Sequence, residues 1–232
     1  MKERLARLDW KGLEASLEER GFAHAPALLS PAECGDLIDL YGDEQRFRKR
    51  ISMEGHGFGR GDYGYFARPL PALVQTLRSH LYRQLVPLAN RWSRALGRPS
   101  YPPSLPGFLE RCQRAGQERP TPLMLRYERD GYNRLHQDLY GDVAFPLQAT
   151  VFLSRRGRDY RGGDLLLVEQ RPRRQSRGEA LAPEQGELVI FASAEWPAPG
   201  KRGPVRATLR HGISTVTAGR RYALGIIFHD AR

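Results

Sequence analysis

Several things are scarce in this sequence, and each shortage narrows what the chain can be. Only two cysteines occur, Cys34 and Cys112. That is too few for a disulfide framework, and they lack the paired spacing of a cysteine metal site. No apolar run approaches the roughly 20 residues that cross a bilayer. The opening stretch MKERLARLDWKGLEASLEER is charged throughout, without the apolar centre of a signal peptide. These features lead to the expectation of a soluble protein in a reducing cytoplasm. Lysine is also rare: Lys2, Lys11, Lys49 and Lys201 are the only ones among 37 basic residues. No segment repeats, and none is of low complexity.

Arginine is abundant instead. The formal net charge is +11, carried almost wholly by arginine, and it favours polyanions or acidic substrates. Coding composition produces the same arginine bias, so charge alone leaves nucleic-acid contact open. With 232 residues, 40% of them hydrophobic, the chain has the size and apolar content for a substantial core. The expected organisation is a single domain over 1–232, with 1–120 mainly helical support and 121–232 the catalytic core.

Hydrophobic spacing and capping residues divide the chain into two grammars. A helix is expected from Asp9 to Arg20, stopping at Gly21. In SPAEC, Ser30 is an N-cap, Pro31 opens the helix and Glu33 completes a capping box, so a second helix should run to about Tyr41. PALVQTLRSHLYRQLVPLANRWSRALG has helical periodicity, with Pro87 as an expected kink or break. A further short helix is expected after Ser104. Between these, HGFGRGDYGYFARPLP has the composition of a loop. From Pro122 onward, short apolar runs alternate with turn residues: PLMLRYE, NRLHQD, FPLQATVFLS, GDLLLVE, GELVIFA, VRATLRHGISTV and RRYALGIIF. Such a series after a helical half implies an α+β fold, with a double-stranded β-helix (jelly-roll, cupin-like) barrel backed by helices.

One of these runs contains a chemical pattern. In RLHQD, His136 and Asp138 are two apart at the end of a strand, so their heads leave the same face. A second histidine, His211, lies 73 positions after Asp138 in TLRHGISTV. Two imidazoles and one carboxylate that leave open positions make the ligand set of non-haem Fe(II) oxygenases. Ten positions further, Arg221 falls where an adjoining strand would point it into the barrel. A buried guanidinium needs a partner, and a ligand carboxylate would supply one bidentately. Taken alone, an HxD arises by chance, and a core histidine more often satisfies a backbone carbonyl. The combination with strand grammar is harder to obtain by accident.

RLHQD, RHGISTV and GRRYALGIIF resemble the motifs of Fe(II)- and 2-oxoglutarate-dependent dioxygenases, over Tyr127 to Phe228. More narrowly, HGFGRGDYGYFARPLP, RPTPLMLRY, EQRPRRQSR and LGIIFHDA are similar to a bacterial family described as acting in oxidative demethylation of damaged nucleic acid. The resemblance implies Fe(II), 2-oxoglutarate and O2 as cofactors, with His136, Asp138 and His211 as iron ligands. It also implies Arg221 as the clamp on the 2-oxoglutarate carboxylate. Tyr127 resembles the tyrosine that assists that clamp, or it is simply a core aromatic. Arg220 should point to the opposite face, and His229 should be a structural residue near the terminus. One departure is notable: DNA-repair enzymes of the AlkB type carry a second arginine six positions after the clamp, where this chain has Ile227. The spacing is closer to that of prolyl-hydroxylase-like enzymes. Hydroxylation of a protein side chain or small molecule is therefore the alternative, and a non-catalytic jelly-roll module the third reading.

Two segments are candidate substrate contacts. SRRGRDYRGGD and EQRPRRQSRG hold eight arginines against three acidic residues, Arg171, Arg173 and Arg174 among them. They would track phosphates or be ordinary solvated loops. Arg60, Tyr63 and Tyr65, with Phe58 and Phe66 nearby, would stack an extruded base or pack the helical half onto the barrel.

Overall fold

The computed structural model describes residues 1–232. Helices α1 (Lys2–Ala6), α2 (Trp10–Arg20), α3 (Pro31–Leu40), α4 (Ala72–Ala95) and α5 (Leu105–Arg114) all precede residue 120. Asp9 caps α2 by accepting from the Gly12 N–H at 3.0 Å, and Gly21 ends it at φ 76°. The capping box of Ser30 and Glu33 opens α3. Helix α4 runs unbroken through Pro87. The proline removes one hydrogen bond, but a buried stripe of Val74, Leu77, Leu81, Leu85, Leu88 and Trp92 holds both halves on one axis.

The helical half also supplies four strands: β1 (Phe22–Ala25), β2 (Phe47–Ser52), β3 (Gly59–Arg60) and β4 (Asp62–Phe66). The Gly-aromatic stretch expected to be a loop therefore carries β3 and β4. Its glycines are places of close approach: a Cβ on Gly64 would come 2.5 Å from the Phe47 ring. The later strands are β5 (Leu123–Tyr127), β6 (Tyr132–His136), β7 (Leu147–Phe152), β8 (Tyr160–Gly162), β9 (Leu165–Gln170), β10 (Arg177–Leu181), β11 (Leu188–Ala192), β12 (Glu195–Ala198), β13 (Val205–Ile213), β14 (Val216–Gly219) and β15 (Arg221–Ile226). All seven sequence candidates lie on strands, and the short β8, β10, β12 and β14 join them.

The strands form two large antiparallel sheets and a small two-stranded one of β14 and β8. Of the two large sheets, the larger has the order β1-β11-β7-β15-β5-β4-β2, and the smaller has β10-β9-β13-β6-β3 with β12 beside β13. The non-sequential neighbours are the crossovers of a jelly roll. A hydrophobic cluster of 51 buried residues joins the helices to both sheets, so they share one core. Trp92 of α4 packs on Trp196 of β12 with ring centroids 6.0 Å apart. The helices thus cover the outside of the barrel and leave its interior for a site. No helix is long and apolar enough to cross a membrane.

Candidate active site and metal centre

Strands β6 and β13 lie antiparallel in the smaller sheet, and their register places His136 directly opposite His211. Their ring centroids are 4.2 Å apart. Asp138 follows β6 by two residues and turns back between them. Its Oδ2 is 3.2 Å from His211 Nε2, and its Oδ1 is 3.6 Å from His136 Nε2. One donor atom from each of the three residues lies within 4.8 Å of the others. Two adjacent donors at about 2.1 Å from an octahedral ion are separated by about 3 Å. The three side chains therefore have the chemistry and approximate spacing to hold a divalent metal.

The surroundings prepare these groups as ligands. His136 Nδ1–H donates to the Arg134 carbonyl at 2.7 Å, which leaves Nε2 with its lone pair facing Asp138. Burial, then the charge of His211, lowers the His136 pKa and favours the neutral imidazole that a metal needs. Burial alone would raise the Asp138 pKa. His211 first, then His136 and the Tyr140 hydroxyl, outweigh that and hold the carboxyl well below the usual range. Tyr140 donates its hydroxyl to Asp138 Oδ1 at 2.5 Å.

A β-bulge produces this alignment. Between the pairs His211–His136 and Ile213–Asn133, β6 spends one residue more than β13. Asn133, three positions before His136, consequently lines the same cavity. Gly212 lies opposite the bulge, where a Cβ would come 2.7 Å from the Asn133 carbonyl oxygen.

The cavity, of about 390 Å³, extends from the two histidines to the larger sheet. Arg221, the first residue of β15, lines it and is 1% exposed. None of its three guanidinium nitrogens has a hydrogen-bond partner. Aromatic rings surround it: Phe152, Tyr127 and Tyr160 lie 5.2, 5.5 and 5.9 Å from its central carbon. Burial lowers its pKa below the ordinary arginine value. Tyr127 sits across the ladder from Arg221, fully buried, with its hydroxyl also unpartnered. Buried polar groups normally pair, and an orphaned guanidinium beside an orphaned hydroxyl is a receptor for an anionic group. Gly163, at φ 63°, clears the path of the arginine, because a Cβ there would be 3.0 Å from Arg221 Cδ. Arg220 faces outward and pairs with Glu128 at 2.9 Å.

The substrate-contact candidates scatter. Tyr63 lines the cavity, whereas Tyr65 is buried beside Leu123 and Ile227 and does not reach it. Arg60 is exposed outside the cavity, 3.7 Å from Asp130. None of the eight arginines between Arg155 and Arg177 lines it. Arg156, Arg158, Arg171 and Arg177 are paired with Asp164, Asp159, Glu169 and Glu179. Arg173 and Arg174 stand exposed on the β9–β10 hairpin. Residues not anticipated are Tyr140, Asn133, Arg134, Leu135 and Gln148, all of which line the cavity. Arg134, Leu135 and Tyr140 lie within two positions of His136 or Asp138, a signal of proximity that Asn133 and Gln148 lack.

A family model described as an oxygenase catalysing oxidative methylation of damaged DNA matches residues 61–231. The chain belongs to this oxygenase family. An uncharacterized protein found in two strains of Mycobacterium tuberculosis is 44% identical over 191 residues, covering 80% of this chain and 82% of the relative. Among solved structures, a Pseudomonas putida prolyl-4-hydroxylase superposes with a TM-score of 0.59 at 13% identity, covering 96% of this chain and 99% of that one. An oxidoreductase of the 2-oxoglutarate/Fe(II) oxygenase family from Burkholderia pseudomallei gives 0.55 at 16% identity, covering 96% and 92%. At such identities these two likenesses show the fold. By family this chain is an oxygenase, and its fold is the one that these two solved structures share.

Proposed function

We propose that this oxygenase holds Fe(II) through His136, Asp138 and His211 and 2-oxoglutarate through Arg221 and Tyr127, and that it oxidises a methyl C–H bond on an alkylated nucleic-acid base. The observation that carries the reading is the unpartnered, buried Arg221 facing the same cavity as the two imidazoles and the carboxylate. A dicarboxylate spanning that cavity satisfies both ends at once. Its distal carboxylate takes the guanidinium fork, with the Tyr127 hydroxyl donating beside it.

Fe(II), with 2-oxoglutarate and O2, supplies conversion of a C–H bond to C–OH, with succinate and CO2 as co-products. The chain's residues keep that chemistry in place. The Arg134 carbonyl fixes the His136 tautomer, and Tyr140 holds one oxygen of Asp138 so that the carboxylate cannot swing freely. The apolar wall of Leu123, Leu125, Leu165 and Ile213 limits water around the bound acid. Oxidation of an N-methyl group gives a hydroxymethyl amine that collapses to formaldehyde and the restored base. The product of this chemistry is therefore a demethylated base.

The nucleic-acid arm is supported by the family description and by the net charge of +11. The alternative, hydroxylation of a protein side chain or small molecule, is favoured by Ile227, buried in the cavity wall where the repair-type motif has a second arginine. Succinate formation with methylated oligonucleotides, peptides and amino acids separates the two. Oligonucleotide-dependent succinate with equimolar formaldehyde is expected. Stimulation by peptides or amino acids alone would replace this reading with the hydroxylase.

A further inference from the structure

Three large hydrophobic side chains are exposed in the whole molecule: Phe58 at 45%, Leu135 at 43% and Leu139 at 51%. Two of the three occur at one place: Phe58 and Leu135 line the active-site cavity, and Leu139 follows Asp138 in sequence. Leu139 apart, no other large hydrophobic side chain is exposed, so the pair at this mouth marks a contact surface rather than scatter.

The backbone holds this rim in place. Along the bulged β6, Asn133, Arg134, Leu135 and His136 all border the cavity, with Arg134 and Leu135 the exposed pair at its rim. The Arg134 N–H donates to the Phe58 carbonyl at 2.9 Å, tying the ring's segment to the bulge. Phe58 sits between Gly57 (φ 69°) and Gly59 (φ 148°), and a Cβ on Gly59 would come 2.3 Å from the Tyr132 oxygen. The Arg134 side chain also lines the cavity, is exposed, and has no carboxylate partner, unlike Arg60 beside Asp130. The mouth thus offers one exposed aromatic ring, one exposed aliphatic side chain and one guanidinium without a carboxylate partner.

We propose that this rim is the platform for one unpaired nucleotide, whose base packs on Phe58 and Leu135 while a flanking phosphate meets Arg134. The proposal rests on the nucleic-acid reading of the active site and names the residues that select its substrate. A base in a duplex has both faces stacked, so a platform of this kind favours single strands or an extruded base. One cation beside a flat apolar surface complements a nucleotide, which joins a planar ring to a single negative charge.

Fluorescence anisotropy of a short labelled oligonucleotide with the full chain tests this. The wild type is expected to bind the single strand at least tenfold more tightly than the matching duplex. Phe58→Ala should weaken single-strand binding about 5- to 150-fold, the loss typical of one stacked base, with the salt slope unchanged. Phe58→Tyr should retain affinity, which separates loss of stacking from loss of folding. Arg134→Gln should reduce the slope of log K against log salt by about 0.7. Wild-type affinity in Phe58→Ala and Leu135→Ser would discard the platform and leave the nucleic-acid reading intact. No oligonucleotide binding by the wild type, with succinate formation driven by a peptide, would overturn that reading and the platform with it.

Discussion

Arg220 and Arg221 are sequence neighbours with opposite surroundings. Arg220 is exposed and paired with Glu128, whereas Arg221 is buried among aromatic rings with no partner. Arg220 lies just before β15, while Arg221 opens the strand and faces inward. The buried guanidinium has lost its hydration, and in the proposed complex a bound carboxylate would replace those hydrogen bonds, so removing either partner is expensive, about 3–5 kcal/mol for a buried pair. Arg221→Ala is therefore expected to raise the 2-oxoglutarate concentration needed for half-maximal turnover by two orders of magnitude or more. Arg220→Ala should change it less than twofold, since exposed pairs contribute little. Titrating 2-oxoglutarate against succinate formation in both variants checks this, and equal effects would show that Arg221 is not the clamp. The sequence made this arginine legible through its distance from His211. Tyr140 lies close to Asp138 in sequence, but its hydrogen bond was not legible, because only the turn after β6 brings its hydroxyl onto Asp138.

At the scale of elements, β6 with its bulge controls most of the site. The register of β6 against β13 sets His136 beside His211, and the extra residue keeps Asn133 on the cavity side. Gly212 permits this, since any side chain there strikes the backbone of Asn133 and Arg134. Backbone cannot yield as a flexible side chain can. Gly212→Ala is thus expected to cost about 1–3 kcal/mol of stability, as overpacking does, and to weaken metal binding tenfold or more by parting the two imidazoles. Thermal unfolding and a Co(II) titration followed by absorbance measure both effects; an unchanged Co(II) affinity would refute the link between bulge and site. The sequence pointed to strands here but gave no sign of the bulge, which is a property of two strands together. The Gly-aromatic segment shows the same limit. Its composition resembles a loop, and it becomes β3 and β4 only because the edges of β6 and β5 are there to pair with it.

Across the whole molecule, the C-terminal tail ties the helical layer to the barrel. Buried Arg78 of α4 donates to the carbonyls of Ile227 and Phe228 and to Asp230, and Arg68 and Gln117 bond Asp230 as well. His229 is buried within this knot, accepting from the Phe145 N–H at 3.3 Å through Nδ1. Burial depresses its pKa to about 4. An unfolded histidine titrates near 6.5, so the unfolded chain binds the proton first. The stability contributed by neutral His229 is complete above about pH 6.5 and is lost as pH falls toward 4, a decline of about 3 kcal/mol. His229→Gln should flatten the stability curve over that window, measured by urea unfolding at a series of pH values. An identical slope in the variant would assign the acid sensitivity elsewhere.

What the sequence determined by itself was local or periodic. The Asp9, Ser30 and Ser104 caps, the stop at Gly21, the strand runs after Pro122, and the pairing of His136 with Asp138 follow from backbone preference and side-chain alternation, which act over a few residues. The tertiary structure decided the rest. It carried α4 through Pro87 because the core holds both halves of the helix, and it recruited four strands from the helical half to complete the sheets. It also left the arginines of residues 155–177 away from the cavity while bringing Arg134, Leu135 and Phe58 to its mouth. Packing, register and the orientation of a bulge depend on residues far apart in the chain, and no local pattern encodes them.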